Sequence, residues 1–108
     1  METKEAVKIF TALAQETRLS VYKIIVAHSP AGVCPCEIAD TLNIPRNTLS
    51  FHLSLLSHSG LVEKVKQGKM YFYRPNCSLI KKTMAFLHND CVACHEKAAQ
   101  CNRKDSPC

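Results

Sequence analysis

The stretch that decides the fold is RNTLSFHLSLLSH, residues 46–58. Its leucines at positions 49, 53 and 56 recur at helical spacing, which predicts a helix with one apolar face turned toward a core. Several of the remaining positions are polar and mostly small, among them Ser50 and Ser54, so the face that carries them can approach base edges and phosphates in a major groove about 12 Å wide. A solvated face on a structural helix is the alternative. The positions expected to contact a duplex are Arg46, Asn47, Thr48, Ser50 and His52.

The residues upstream complete a helix-turn-helix. A short amphipathic segment, residues 37–42, is followed by Asn43-Ile44-Pro45, in which the asparagine suits a turn and the proline suits the first turn of a helix. Two earlier helices are predicted at residues 4–15 and 17–28. Their inward faces are expected to be Val7, Phe10, Leu13 and Ala14, and Leu19, Tyr22, Ile25 and Val26.

Downstream of Gly60 the periodicity changes to that of β-strands. Residues 61–66 and 70–74 flank the short loop Gln67-Gly68-Lys69, which predicts a hairpin. The hairpin is basic, and we expect Lys66 and Lys69 to hold backbone phosphate without reading sequence, although such lysines also protect an exposed strand edge from aggregation. A final helix is predicted from a Ser78 cap to Leu87. The fold class is therefore mainly α with a β-hairpin wing, a winged helix-turn-helix.

Composition limits the function further. The 108 residues carry a formal net charge of +5 and form one domain, divided here into residues 1–90 and a cysteine-rich tail, residues 91–108. The charge favours a polyanionic partner. A membrane span and a signal-peptide core are both absent from the sequence pattern, so we expect a cytoplasmic protein with no membrane partner. Gly-rich phosphate loops, paired carboxylates and a Ser/His/Asp pattern are missing too, so an enzyme is not expected.

Five short motifs occur in order along nearly the whole chain: ALAQETRL at 12–19, EIA at 37–39, NTLSFHL at 47–53, SGLV at 59–62 and GKMYFYR at 68–74. Together they resemble the ArsR/SmtB family of metal-responsive repressors. The resemblance implies a homodimeric winged-helix protein paired through its first and last helices. It also implies binding to double-stranded operator DNA with an inverted repeat, since a two-fold dimer reads two half-sites. Release from that DNA when metal binds is a further implication of the resemblance.

Seven cysteines form two clusters and two isolated positions. Cytosolic thiols are kept reduced, which favours soft-metal binding or oxidant sensing over disulfides. The resemblance implies an arsenite site of three cysteines, either in a Cys-x-Cys-x-x-Cys motif before the turn or at the end of the last helix. The first location offers only Cys34 and Cys36, because Ala39 replaces the third thiol. We therefore predict Cys91, Cys94 and Cys101 as ligands, with the earlier pair as the alternative.

The geometry of the tail limits how those ligands converge. Trivalent arsenic favours three thiolates in a pyramid. Cys91 and Cys94 share one helical face, whereas Cys101 lies roughly 10 Å farther along a continuous helix. The tail must fold back, or the ligands must come from two subunits. We expect no permanently bound cofactor, with As(III) as effector and Sb(III) as a further candidate.

Other functions remain open at the level of sequence. Cys91, Cys94, His95 and Cys101 also suit zinc or cadmium, and thiol oxidation is a third way to sense a signal. The cysteines also continue a heptad seam from Ile80, Met84 and Leu87, so packing between helices is the structural alternative. A thiol-dependent arsenic enzyme explains the cysteines but leaves the wing unexplained.

Overall fold

The computed structural model describes residues 1–89. Five helices and one antiparallel hairpin confirm the predicted winged helix-turn-helix, in which α3 and α4 form the helix-turn-helix and β1 and β2 the wing. The tail, with Cys91, Cys94 and Cys101, lies outside the described residues. The order is α1 (Thr3–Leu13), α2 (Glu16–Ala27), α3 (Pro35–Leu42), α4 (Arg46–Ser59), β1 (Val62–Gln67), β2 (Met70–Pro75) and α5 (Cys77–His88).

The core is built around α4. Its residues Leu49, Leu53 and Leu56 are buried, as their spacing predicts. Helices α1, α2 and α3 and strand β1 all pack against α4, so its opposite face remains free. Large apolar side chains from the surrounding elements complete the core, among them Ile9, Ile25, Ile38 and Leu61. The fold therefore fixes α4 on one side and exposes its polar side to solvent.

The predicted inward faces of α1 and α2 are wrong in part. In α1 the buried residues are Ala6, Ile9 and Ala12, whereas Val7 is exposed. Both sides of α1 carry apolar side chains, and the side with two alanines lets the helix approach its neighbours closely. In α2 the predicted Tyr22 and Ile25 are buried, but Leu19 and Val26 are exposed and Val21 takes an inward place.

The helix ends follow local backbone chemistry. Asn43 ends α3 with φ of 54°, and Gly60 ends α4 with φ of 87°, the left-handed conformation that both residue types tolerate. Pro45 is the N-cap of α4. The α5 cap is Asn76 and not the predicted Ser78, because α5 starts at Cys77 and the Asn76 side chain accepts a hydrogen bond from the Leu79 N–H at 3.3 Å.

A backbone bridge attaches the loop before α3 to the wing. The Val33 N–H donates to the Tyr73 carbonyl at 2.9 Å, and the Tyr73 N–H donates to the Val33 carbonyl at 2.8 Å. Gly32 makes this approach possible: at its φ of 96°, an added Cβ would lie 3.3 Å from the Tyr73 oxygen. The start of α3 is thus held beside the wing.

Within residues 1–89, none of the helices is both long and apolar enough to cross a lipid bilayer.

Candidate nucleic-acid interface

The free face of α4 carries most of the predicted contact residues. Arg46, Asn47, Thr48 and Ser50 are all exposed. The first turn contains no acidic side chain, so the partial positive charge of the helix N-terminus is not neutralised locally. Helix N-termini with this property favour phosphate. The Asn47 side-chain oxygen accepts a hydrogen bond from the Thr48 N–H at 3.0 Å, so its amide NH₂ is the group that can donate to a base edge.

His52 does not lie on the free face of α4, so the prediction that it is exposed toward DNA is wrong. The residue is only 8% exposed, because it lies three positions after Leu49 and beside Leu53, within the inward arc of the helix. Its Nδ1 lies 3.5 Å from an Arg18 guanidinium nitrogen, and the Arg18 Nε donates to the Ala12 carbonyl at 2.8 Å. Burial, followed by the Arg18 charge, lowers the pKa of His52. His52 therefore joins α4 to the α1–α2 junction.

A groove runs between the free face of α4 and the wing, with a volume of about 480 Å³. Arg46, Ser50 and Ser54 line one side, and Lys64 and Tyr71 line the other. Among the described residues, none that lines the groove is acidic. A concave surface with cations and hydroxyl groups and without carboxylates suits a phosphate backbone, because cations and small hydroxyls contact phosphate oxygens.

The wing separates its charges by face. Side chains alternate along a strand, and the pairing of Lys64 with Tyr73 and of Lys66 with Tyr71 places these four residues on the groove face. Glu63 pairs with Arg74 on the opposite face, with 3.2 Å between Oε2 and Nε. The single acid of the hairpin is thereby neutralised away from the groove. No carboxylate within residues 1–89 forms a salt bridge with either groove-face lysine.

The predicted wing residues differ in position. Lys66 lies on the same strand face as the groove-lining Lys64 and Tyr71, whereas Lys69 is exposed in the turn at the hairpin tip, and neither Lys66 nor Lys69 lines the groove itself. Sequence reasoning left Lys64, Tyr71 and Ser54 out of the predicted contact set. The alternation of side chains along each strand would have placed Lys64 and Tyr71 on the same face as Lys66.

The described cysteines lie at two helix starts. Cys34 is the N-cap of α3, and Cys36 is exposed in its first turn. An Arg46 guanidinium nitrogen donates to the Cys36 sulfur at 3.3 Å, which links this thiol to the first residue of α4. Cys77 is exposed at the start of α5. Within residues 1–89, no three His, Cys, Asp or Glu side chains converge as a metal site.

Comparison with known proteins agrees with this geometry. A family model described as a helix-turn-helix domain matches residues 13–65. The Staphylococcus aureus cadmium resistance transcriptional regulatory protein CadC homolog is 30% identical over 91 residues, which cover 82% of this chain and 74% of that protein. An ArsR-like transcriptional regulator from Rhodococcus sp. RHA1 superposes with a TM-score of 0.76 at 27% identity, covering 90% and 89% of the two chains. The chain belongs to the ArsR/SmtB family.

A further ArsR/SmtB relative is the arsenical resistance operon repressor of Escherichia coli K12. It is 35% identical over 68 residues, which cover 63% of this chain and 56% of that repressor. These relatives are transcriptional regulators and not enzymes. As an ArsR/SmtB protein, this chain is a DNA-binding transcriptional regulator, and the groove between α4 and the wing is its candidate interface with the duplex.

Proposed function

We propose that the protein is a homodimeric repressor that leaves its operator when As(III), or Sb(III), binds Cys91, Cys94 and Cys101. The observation that carries the DNA-binding part is the groove between α4 and the wing. It combines cations with a helix N-terminus that has no side-chain cap, and none of its lining residues within residues 1–89 is acidic. The Escherichia coli relative, an arsenical resistance operon repressor, supports the class of inducer.

The apolar side chains that the single chain leaves exposed support the dimer. Val7 on α1 is 56% exposed, and Met84 and Leu87 on α5 are 46% and 54% exposed. Helices α1 and α5 contact each other, so these residues belong to neighbouring elements. Burying such side chains against a second copy removes apolar surface from water at roughly 25 cal/mol per Å². The two-fold symmetry of such a dimer predicts an operator with two inverted half-sites.

Ligand capture is proposed to act through α5. Arsenite, As(OH)₃, exchanges its three hydroxyl groups for three cysteine thiols, forms three As–S bonds and releases three waters. Helix α5 ends at His88, three positions before the first tail residue, Cys91, so a tail drawn together around arsenic would pull on the helix proposed to join the subunits. The resulting change in dimer geometry would separate the two α4 helices from successive major grooves.

A second candidate effector site is the Cys34 and Cys36 pair. The hydrogen bond from Arg46 to the Cys36 sulfur favours it, because capture of this thiol by a metal would release the guanidinium from its present position. The Staphylococcus aureus relative is a cadmium resistance regulatory protein, so cadmium or zinc is the alternative inducer to test at either site.

The experiment begins with an operator selected by the protein from a pool of random duplexes. Release of that operator is followed by fluorescence anisotropy while arsenite, antimonite, zinc, cadmium or peroxide is added. Single Cys→Ser variants at positions 91, 94 and 101 should bind the operator normally and lose the response to arsenite. Cys77→Ser, an exposed thiol outside both clusters, is the matched control and should respond as the wild type does.

Four results would contradict this proposal. Arsenite release that survives all three tail substitutions would exclude the tail site, and loss of release in Cys36→Ser would move the site to the start of α3. Release by peroxide and not by arsenite would show a redox sensor. Release by cadmium or zinc alone would reassign the inducer.

A further inference from the structure

Two lysines of the wing share one aromatic ring. The Lys64 ammonium lies 4.2 Å from the centre of the Tyr71 ring, and the Lys66 ammonium lies 5.9 Å from it. Lys66 is the direct cross-strand partner of Tyr71, whereas Lys64 is the partner of Tyr73 and lies diagonally to Tyr71. Diagonal neighbours are within reach when one side chain is aromatic and the other long. The ring thus lies next to both cations of the groove face.

The two tyrosines of this face have different surroundings. Tyr73 is buried at the base of the wing, where it also bridges to Val33. Tyr71 is 43% exposed and lines the groove together with Lys64. Since the buried tyrosine already anchors the strand, the core does not require an aromatic residue at position 71. The exposed ring instead provides a π surface beneath two ammonium groups.

An aromatic surface changes how much conformational freedom a lysine loses when it binds phosphate. A lysine side chain has a flexible four-carbon stem and loses conformational freedom when it is fixed on a phosphate. An ammonium over a tyrosine ring is held by the ring quadrupole within about 6 Å. Its N–H groups that point away from the ring remain available to donate to a phosphate oxygen. The ring can therefore reduce the ordering that binding would otherwise require.

We propose that Tyr71 is a positioning residue for DNA binding, which holds Lys64 chiefly, and Lys66 as well, in the groove for contact with duplex phosphate. The tyrosine acts through the lysines and does not read bases. This role rests on the DNA binding shared by the family and is independent of which inducer releases the operator, so it is tested without any metal.

The first measurement compares Tyr71→Phe and Tyr71→Leu on a mixed-sequence duplex long enough for the dimer. Tyr71→Phe keeps the ring and should bind as the wild type does. Tyr71→Leu should bind about three- to tenfold more weakly. In Tyr71→Leu the plot of log K against log salt concentration should also become less steep, by up to about one in the magnitude of its negative slope, because a phosphate contact is formed less often. Met70→Leu, an exposed neighbour on the opposite face, is the matched control.

A double-mutant cycle tests whether the ring acts through Lys64. If it does, Tyr71→Leu should have a much smaller effect in the Lys64→Gln background than in the wild type. Proton NMR of the lysine side chains adds a signature that folding alone would not change. The Lys64 methylene resonances next to the ammonium should be shifted by the ring current in the wild type and Tyr71→Phe, and not in Tyr71→Leu.

Three outcomes would overturn the proposal. Equal losses in Tyr71→Phe and Tyr71→Leu would show that the hydroxyl contacts DNA directly. Additive effects in the cycle would show that the ring and Lys64 act separately. An unchanged salt slope and affinity in Tyr71→Leu, with the fold intact by circular dichroism, would show that the ring has no part in binding.

Discussion

His52 occupies a buried position where an exposed one was expected, and its surroundings make it sensitive to pH. Burial and the neighbouring Arg18 charge both disfavour the imidazolium, so the folded protein holds the pKa of His52 below its ordinary value. The unfolded chain binds a proton near the ordinary pKa of about 6.5. The stability that depends on a neutral His52 is therefore complete above that pH and is lost as pH falls toward the lower folded pKa.

This predicts a pH-dependent effect of removing the His52 imidazole. His52→Gln should be less stable than wild type at pH about 7.5, and this loss of stability should become smaller as the pH falls to about 5.5, because only the wild type loses stability by protonation of His52. Urea denaturation at several pH values measures it. His58→Gln, an exposed position on the same helix, is the control for removing an imidazole. A difference for His52→Gln that does not change with pH would show that His52 titrates alike in the folded and unfolded states.

Gly60 is required by both its backbone and its surroundings. Its φ is 87°, and an added Cβ would lie 3.1 Å from a Leu79 methyl group. Gly68 at the wing tip has φ of 65° but no atom within 4 Å of an added Cβ. We expect Gly68→Ala to cost about 1 kcal/mol from the backbone alone, and Gly60→Ala about 2 kcal/mol because the methyl contact is added. Chemical denaturation compares them, and equal losses would show that Leu79 moves aside freely.

At the scale of elements, α4 and the wing should contribute differently to binding. Asn47→Ala should change which base is preferred at one operator position, since base edges are read from the major groove. Lys66→Gln should weaken all duplexes alike, by a few-fold, and reduce the salt slope by about one. Binding to a panel of single-base operator variants at several salt concentrations separates the two. An unchanged base preference in Asn47→Ala would remove its proposed reading role.

The elements themselves were largely predictable from sequence. The leucine spacing placed α4, and Gly60 and Gly68 marked its end and the hairpin turn. The strand register was not predicted, and Gln67, expected in the loop, is the last residue of β1 and pairs with Met70. The inward faces of α1 and α2 were not predictable, because periodicity identifies an apolar face and cannot tell a core from a partner. Val7 is an example, since it lies on an apolar face that the single chain leaves open.

The site was predictable only in part for similar reasons. Exposure of Arg46, Asn47, Thr48 and Ser50 followed from the helical period. The burial of His52 follows from the same period, but its polar side chain favoured an exposed interpretation. The contacts of Arg18 with His52 and of Arg46 with Cys36 join residues 34 and 10 positions apart, and only the folded chain brings them together.

For the whole molecule, the dimer proposal gives a direct test. Leu87→Glu places a charge at an exposed apolar position of α5 and should dissociate the dimer, because an unpaired charge cannot be buried without a large cost. Operator affinity should fall by at least about tenfold as one of two half-site contacts is lost. Val26→Glu, equally apolar and exposed but on α2, should stay dimeric. Sedimentation measures both, and a Leu87→Glu protein that sediments as a dimer would place the interface elsewhere.

The two hydrogen bonds between Val33 and Tyr73 have a mechanical consequence. They make Val33, the residue just before Cys34, a one-residue third member of the hairpin, so the segment that carries this thiol is hydrogen-bonded directly to the wing proposed to contact phosphate. A ligand that bound the Cys34 sulfur and displaced this segment would therefore tilt the wing at its base and move its tip by a larger distance. This movement would not depend on the cysteine-rich tail.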